Sequence, residues 1–193
     1  MGHAGVVDVS GLDIRRPASY PAGSGWLATA RRFGQALRGE RHDPGSLFVV
    51  GSAGAEPWHL TAHLQDAAKW AQLPGLSPTL LRHSVPTDAP SHLRAGVDVL
   101  DAAGPRTTVL VEATCVLDDR LRERLAGASR RGAGLYVLHA GDEELATMAR
   151  ADLVQPPIGV LGASTETLSH LVPRFAAEGH ARGTSRRSRW LRA

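Results

Sequence analysis

The stretch Ser46–Lys69, SLFVVGSAGAEPWHLTAHLQDAAK, constrains the fold of this chain more than any other, because it reads as a buried strand turning through small residues into a long helix. Leu47 to Val50 is short, apolar and partly β-branched, the pattern of a strand covered on both faces of a parallel sheet. Gly51, Ser52, Ala53, Gly54 and Ala55 then let the backbone turn sharply with its amides uncovered. Pro57 suits a first helical position, and Glu56 before it suits the positive end of the helix dipole. Leu60, His63, Leu64, Ala67, Ala68 and Ala71 recur at helical spacing. A strand, a small-residue loop and a helix N-terminus can hold an anion. They can equally form a turn that brings the helix close to the sheet, and Glu56 sets a negative charge where a phosphate would lie.

The same alternation continues along the chain. Ser24 is expected to cap a helix through Leu37, with Trp26, Leu27, Ala30, Phe33 and Leu37 on one face that packs on the sheet or at a subunit interface. Thr79–Val85 offers a short strand, and Pro90 with Ser91 opens a helix through about Ala102. Thr107–Ala113 is the clearest β-run. Asp118 caps a helix with Leu121, Leu125 and Ala128 inside and Arg120, Arg122, Arg124, Arg130 and Arg131 outside, ended by Gly132 and Gly134. Leu135–His139 is a strand, Asp142–Arg150 a helix and Asp152–Gln155 a last strand stopped by Pro156 and Pro157. Ser164 or Thr165 caps a final helix through Ala177. This order predicts a three-layer α/β/α sandwich around an open, mostly parallel sheet of about five strands, Rossmann-like or flavodoxin-like. Residues 1–23 read as an irregular arm, 24–178 as the α/β domain and 179–193 as a flexible basic tail.

Composition removes several function classes. Cys115 is the single cysteine, which excludes an intrachain disulfide and a cysteine-rich zinc site. No apolar run reaches membrane-spanning length and the N-terminus has no signal-peptide pattern, so a cytoplasmic protein without membrane contact is expected. Lys69 is the only lysine. Arginine-rich composition with abundant Ala and Gly fits a bacterial genome of high GC content.

Ligands of open parallel sheets bind beyond the carboxyl ends of the strands. That gathers Gly51 to Glu56, Glu112 to Asp119 and His139 to Asp142 around one crevice, with Gly51, Ser52, Gly54, Glu56, Thr114, Asp118 and His139 as candidate ligand-binding residues. Glu112 reads as a strand-end carboxylate that can pair with an arginine, and Asp118 as a helix cap. Cys115 reads as a buried structural thiol, with a reactive thiol near a helix N-terminus as the alternative. His59 and His63, four apart on one helix, can share a divalent metal ion; the alternative is a half-buried histidine beside a surface one. No other cofactor is indicated. His63 and Asp66 at i, i+3 can form an acid–base pair.

The element order resembles the sugar isomerase (SIS) domain, and most of all its phosphoheptose-isomerase branch. The resemblance covers about Leu27–Phe175, and its strongest part is RRGAGLYVLHAGDEELATMARADLVQPP, similar to the segment in which these domains leave their fourth strand and reach the fifth. It implies a sugar-phosphate ligand, a homodimer or larger assembly through the leading helix and the first long helix, and a crevice shared between subunits. In the family the first loop commonly reads Gly-Asn-Gly-Gly-Ser, whose serine holds the phosphate; the matching position here is Ala55. The family's hydroxyl-rich second loop is replaced by Glu112, Ala113, Thr114, Cys115, Val116 and Leu117. A phosphate dianion loses hydrogen bonds and meets like charge at Glu112.

The resulting expectation is a SIS-like module that binds a small carbohydrate-derived ligand or a protein partner, without isomerase activity. The first alternative is an aldose–ketose sugar-phosphate isomerase with a rearranged site using His63, Asp66 and Glu112 as catalytic residues. The second is nucleic-acid binding through the tail, where Arg182, Arg186, Arg187, Arg189 and Arg192 surround Trp190.

Overall fold

Five parallel strands run through the centre of the computed structural model in the order β2-β1-β3-β4-β5. The structure describes residues 25–40, 43–90, 93–155 and 165–178; the predicted N-terminal arm, the basic tail, Pro156 and Pro157 lie outside the described residues. The strands are β1 (Leu47–Gly51), β2 (Pro78–Leu80), β3 (Thr108–Ala113), β4 (Gly134–His139) and β5 (Ala151–Val154). The helices are α1 (Gly25–Gly39), α2 (Trp58–Ala71), α3 (Asp119–Arg130), α4 (Glu143–Met148) and α5 (Thr165–Ala177).

The apolar runs are continuous because alternate side chains serve two cores. Leu47, Val49, Leu110, Tyr136 and Leu138 join the layer under α1, α2 and α5. Val50, Val109, Val111, Leu135 and Val137 face the other way, toward Leu121 and Leu125 of α3 and Leu145 of α4. Helix α1 finds its partner inside the chain: it packs on α5, with Phe33 edge-on to Tyr136 at 5.8 Å between ring centroids. Gly34 lies so close to α5 that a Cβ there would stand 2.7 Å from Cβ of Phe175.

Several expectations are corrected by the fold. Where a helix is expected from Pro90 and Ser91 through about Ala102, the described residues carry a 3-10 turn at Val97–Ala102 in place of a continuous α-helix, because Gly96 is extended and bridges Arg82 beside β2. Pro57 is the residue before α2 rather than its first residue, and no side chain caps that end. Arg122 does not face solvent: it folds onto Asp142, the cap of α4, in a contact where both side chains are mostly covered.

Candidate functional site

The order of strands reverses between β1 and β3, so the carboxyl ends of these two neighbours form the switch point at which open α/β sheets take ligands. Gly51 and Glu112 stand opposite each other there in register. After Gly51 the chain makes a tight turn, with the Ala55 amide donating to the Ser52 carbonyl at 3.0 Å. Ser52 is buried, while Ala53 and Gly54 are exposed.

Glu112 is buried at the end of β3, and its partner is not the expected arginine: the Ser169 hydroxyl of α5 donates to its Oε1 at 3.0 Å. Burial pushes its pKa up, against the opposing pull of that hydrogen bond. The carboxyl is therefore driven toward its neutral form, which weakens the like-charge argument made from the sequence. Cys115 is exposed rather than buried, and its Sγ lies 2.9 Å from Ser52 Oγ, joining the loops after β1 and β3. Thr114 beside it is half-buried. His139 is buried with both ring nitrogens in use, one against Asp152 at 3.2 Å and the other accepting from the Gly141 amide. Those bonds leave it no nitrogen for a ligand.

The Glu56 carboxylate does not hold the amides of α2, although its backbone carbonyl accepts from the Trp58 amide at 2.9 Å. The carboxylate accepts from the His83 amide at 3.2 Å and from Arg82 Nε at 3.4 Å. His83 Nε2 donates to the Gly51 carbonyl at 2.8 Å, while Nδ1 lies 3.9 Å from Asp118. Asp118 is also the cap of α3, accepting from the Leu121 amide. His83 thus links the end of β1 to the start of α3. Beside it opens a cavity of about 360 Å³ lined by Arg82, Arg120 and Arg124 together with Asp98, Asp118 and Val97. Arg82 also stacks over Trp58, 5.1 Å from the ring centroid. The strand expected over Thr79–Val85 is confined to Pro78–Leu80, so Arg82 and His83 lie beyond its carboxyl end, where a three-residue strand is too short to show which side chains it carries.

On α2, His59 and His63 share a face as their spacing requires, and α5 adds His170, which nothing in the local sequence marks out. Nε2 of His59 lies 2.9 Å from Nε2 of His63 and 3.2 Å from Nε2 of His170. The three ligating nitrogens lie within 4.8 Å of one another, a donor set able to hold one metal ion. Burial, then the neighbouring His170 and His59, lower the pKa of His63 to about 4. Among the described residues no hydrogen bond joins His63, Asp66 and Glu112, the three residues grouped as an acid–base set from the sequence.

The chain matches no family model and no curated protein. Among solved structures it resembles the sugar isomerase domain of the RpiR transcription factor from Sphaerobacter thermophilus, with a TM-score of 0.53 and 19% identity over 81% of this chain and 85% of that one. The fold is that of a SIS domain. A second likeness is to a protein of Silicibacter pomeroyi named as a candidate phosphosugar isomerase, with a TM-score of 0.54 and 18% identity. That match covers 85% of this chain and 47% of the other, so the chain spans about half of that protein's length. Within the SIS fold, the β1 and β3 loops and the arginine-lined cavity occupy the carboxyl edge of the sheet. No helix among the described residues is long and apolar enough to cross a membrane.

Proposed function

We propose that this chain is a SIS-type module that binds a small phosphorylated carbohydrate at the carboxyl edge of its sheet and does not isomerise it. The observation that carries this reading is the cavity beside His83, lined by three arginines and two aspartates next to the switch point. Guanidinium groups suit phosphate oxygens because their planar forks donate in pairs. The sugar hydroxyls then lie toward Ser52, Thr114 and the Asp118 side of the crevice. The names of the two neighbours, a sugar isomerase domain of a transcription factor and a candidate phosphosugar isomerase, support a phosphosugar as the ligand class.

Absence of turnover is supported by how the candidate acid–base groups are held. Glu112 is engaged by Ser169, and His63 lies among His59 and His170. An aldose–ketose isomerase needs a base within hydrogen-bond reach of the migrating proton. Calorimetric titration of hexose and heptose phosphates, with the same sugars lacking phosphate as controls, tests the reading. Saturable binding of a phosphorylated sugar, weakened in Arg120→Ala and without interconversion seen by NMR, is the expected result. Equal affinity for the sugar with and without phosphate would defeat the anion assignment, and turnover abolished in His63→Ala would restore the isomerase.

A further inference from the structure

We propose that the ligand crevice continues along α3 into a second anion subsite, built by Arg124, Arg130 and Arg131 around Gly127, and that the carbohydrate held at the carboxyl edge carries a phosphate at each end. The inference deepens the sugar-phosphate reading and rests on it, because the first phosphate is the one taken by the cavity beside His83.

Two cavities adjoin on α3. The one beside His83 has a neighbour of about 330 Å³, and Arg120 and Arg124 line both. The second is lined further by Arg130 and Arg131 at the far end of the helix and by Asp101 of the 3-10 turn. Four arginines and two acids, Asp101 and Glu123, surround it, an excess of two positive charges. Asp101 is engaged by Arg124 at 3.2 Å. Arg130 is exposed, and its side chain has no ion pair or hydrogen bond among the described residues.

Arg131 distinguishes this cavity from an ordinary solvated helix face. Its Nε donates to the Ala103 carbonyl at 2.9 Å and its Nη2 to the Leu100 carbonyl at 2.6 Å. Both acceptors are neutral, so the guanidinium is fixed in place with its charge uncancelled, and three of its five N–H donors stay available. The side chain folds back over α3: a Cβ at Gly127 would stand 3.1 Å from its Nη1, and glycine leaves the room. A guanidinium held in this way loses little freedom when it takes up an anion, and its planar fork matches phosphate oxygens.

The spacing sets the class of ligand. Gly127, over which the Arg131 guanidinium lies, is seven residues beyond Arg120 on the same helix, a rise of about 10 Å. A six-carbon sugar with a phosphate on its first and its last carbon spans two such positions. A single phosphate does not, and a monophosphate leaves Arg130 and Arg131 without a counter-charge.

Calorimetric titration of the full chain at fixed ionic strength compares the 6-phosphates of fructose and glucose with the corresponding 1,6-bisphosphates. The bisphosphate of at least one sugar should bind at least about tenfold more tightly than its monophosphate, the effect of one further charge-assisted hydrogen bond. Arg130→Ala and Arg131→Gln should each erase most of that preference. Arg130 has no side-chain partner among the described residues, so Arg130→Ala decides the matter alone if Arg131→Gln does not fold. Arg32→Ala, which removes the same charge from an exposed position of α1, should keep the preference. Equal affinity for monophosphate and bisphosphate, both above the unphosphorylated sugar, overturns the second subsite and leaves the proposed function standing. Binding of no sugar phosphate overturns both. A preference that survives in Arg130→Ala and Arg131→Gln, or that Arg32→Ala removes equally, overturns the subsite and assigns the second phosphate to another place or to net charge.

Discussion

The Ser169 hydroxyl donates to Oε1 of Glu112 at 3.0 Å, fastening the last helix to the carboxyl end of the central strand. Its neighbour His170 faces the two histidines of α2, so two consecutive residues of α5 serve two different groups. The pairing of Ser169 with a buried acid has a thermodynamic signature. The pKa of Glu112 is raised by burial, so the folded chain holds this proton to higher pH than the unfolded chain does. Stability from this group is therefore greatest below the unfolded carboxylate range and falls as pH rises through it toward the folded value. Glu112→Gln should melt higher than the native chain at about pH 7–8, with the gain shrinking toward about pH 4. Thermal melts across that range check it, and a gain that does not vary with pH would show that Glu112 is not the source.

Gly51 is required by the turn it starts. A Cβ there would meet the Ala55 carbonyl at 2.4 Å and Pro57 Cδ at 2.8 Å. Neither is the flexible end of a side chain, so Gly51→Ala should push the 52–57 segment off the sheet and cost about 1–3 kcal/mol. Urea denaturation measures the loss. Binding of the phosphorylated sugar should weaken with it, because the moved segment carries Ser52 and Glu56.

Cys115 is expected to react with a maleimide in the native state, one label per chain, since it is exposed and the chain has no other cysteine. A sugar ligand seated between the loops after β1 and β3 should slow the labelling. Mass spectrometry with and without ligand gives both answers, and a thiol that labels only in denaturant would contradict the exposed position.

Asp142 has two duties, accepting from the Leu145 amide as the cap of α4 and pairing with Arg122 of α3. Arg122 holds its pKa low. Asp142→Ala should destabilise by about 1–3 kcal/mol, more than loss of a cap alone. Comparing it with Asp142→Asn, which keeps a capping oxygen but not the charge, separates the two contributions by denaturant titration.

Much of the architecture is legible in the residues because each central strand is a continuous apolar run whose alternate side chains fill two cores. Val109 and Val111 face one layer and Leu110 the other. Where local pattern fails, a longer-range contact intervenes. Leu93, Val97 and Leu100 have helical spacing, yet the bridge from Arg82 to Gly96 draws the segment to the sheet edge and leaves a 3-10 turn at Val97–Ala102 in place of a continuous α-helix. Arg122 lies among outward-facing arginines in the sequence, and only the approach of α4 brings Asp142 to it. Cys115 follows a fully buried strand, but the chain has already left the sheet there and exposes the thiol.

The sequence by itself determines the alternation of strands and helices, the small-residue turn after β1, the Asp118 cap and the pairing of His59 with His63, because each depends on residues within a few positions of one another. The tertiary structure alone decides the rest of the candidate site. His170 joins His59 across 111 positions, Ser169 meets Glu112 across 57, and His83 reaches Gly51 across 32. These meetings depend on how helices dock on a twisted sheet, which is set by the packing of many apolar side chains at once and leaves no local mark on the residues it brings together.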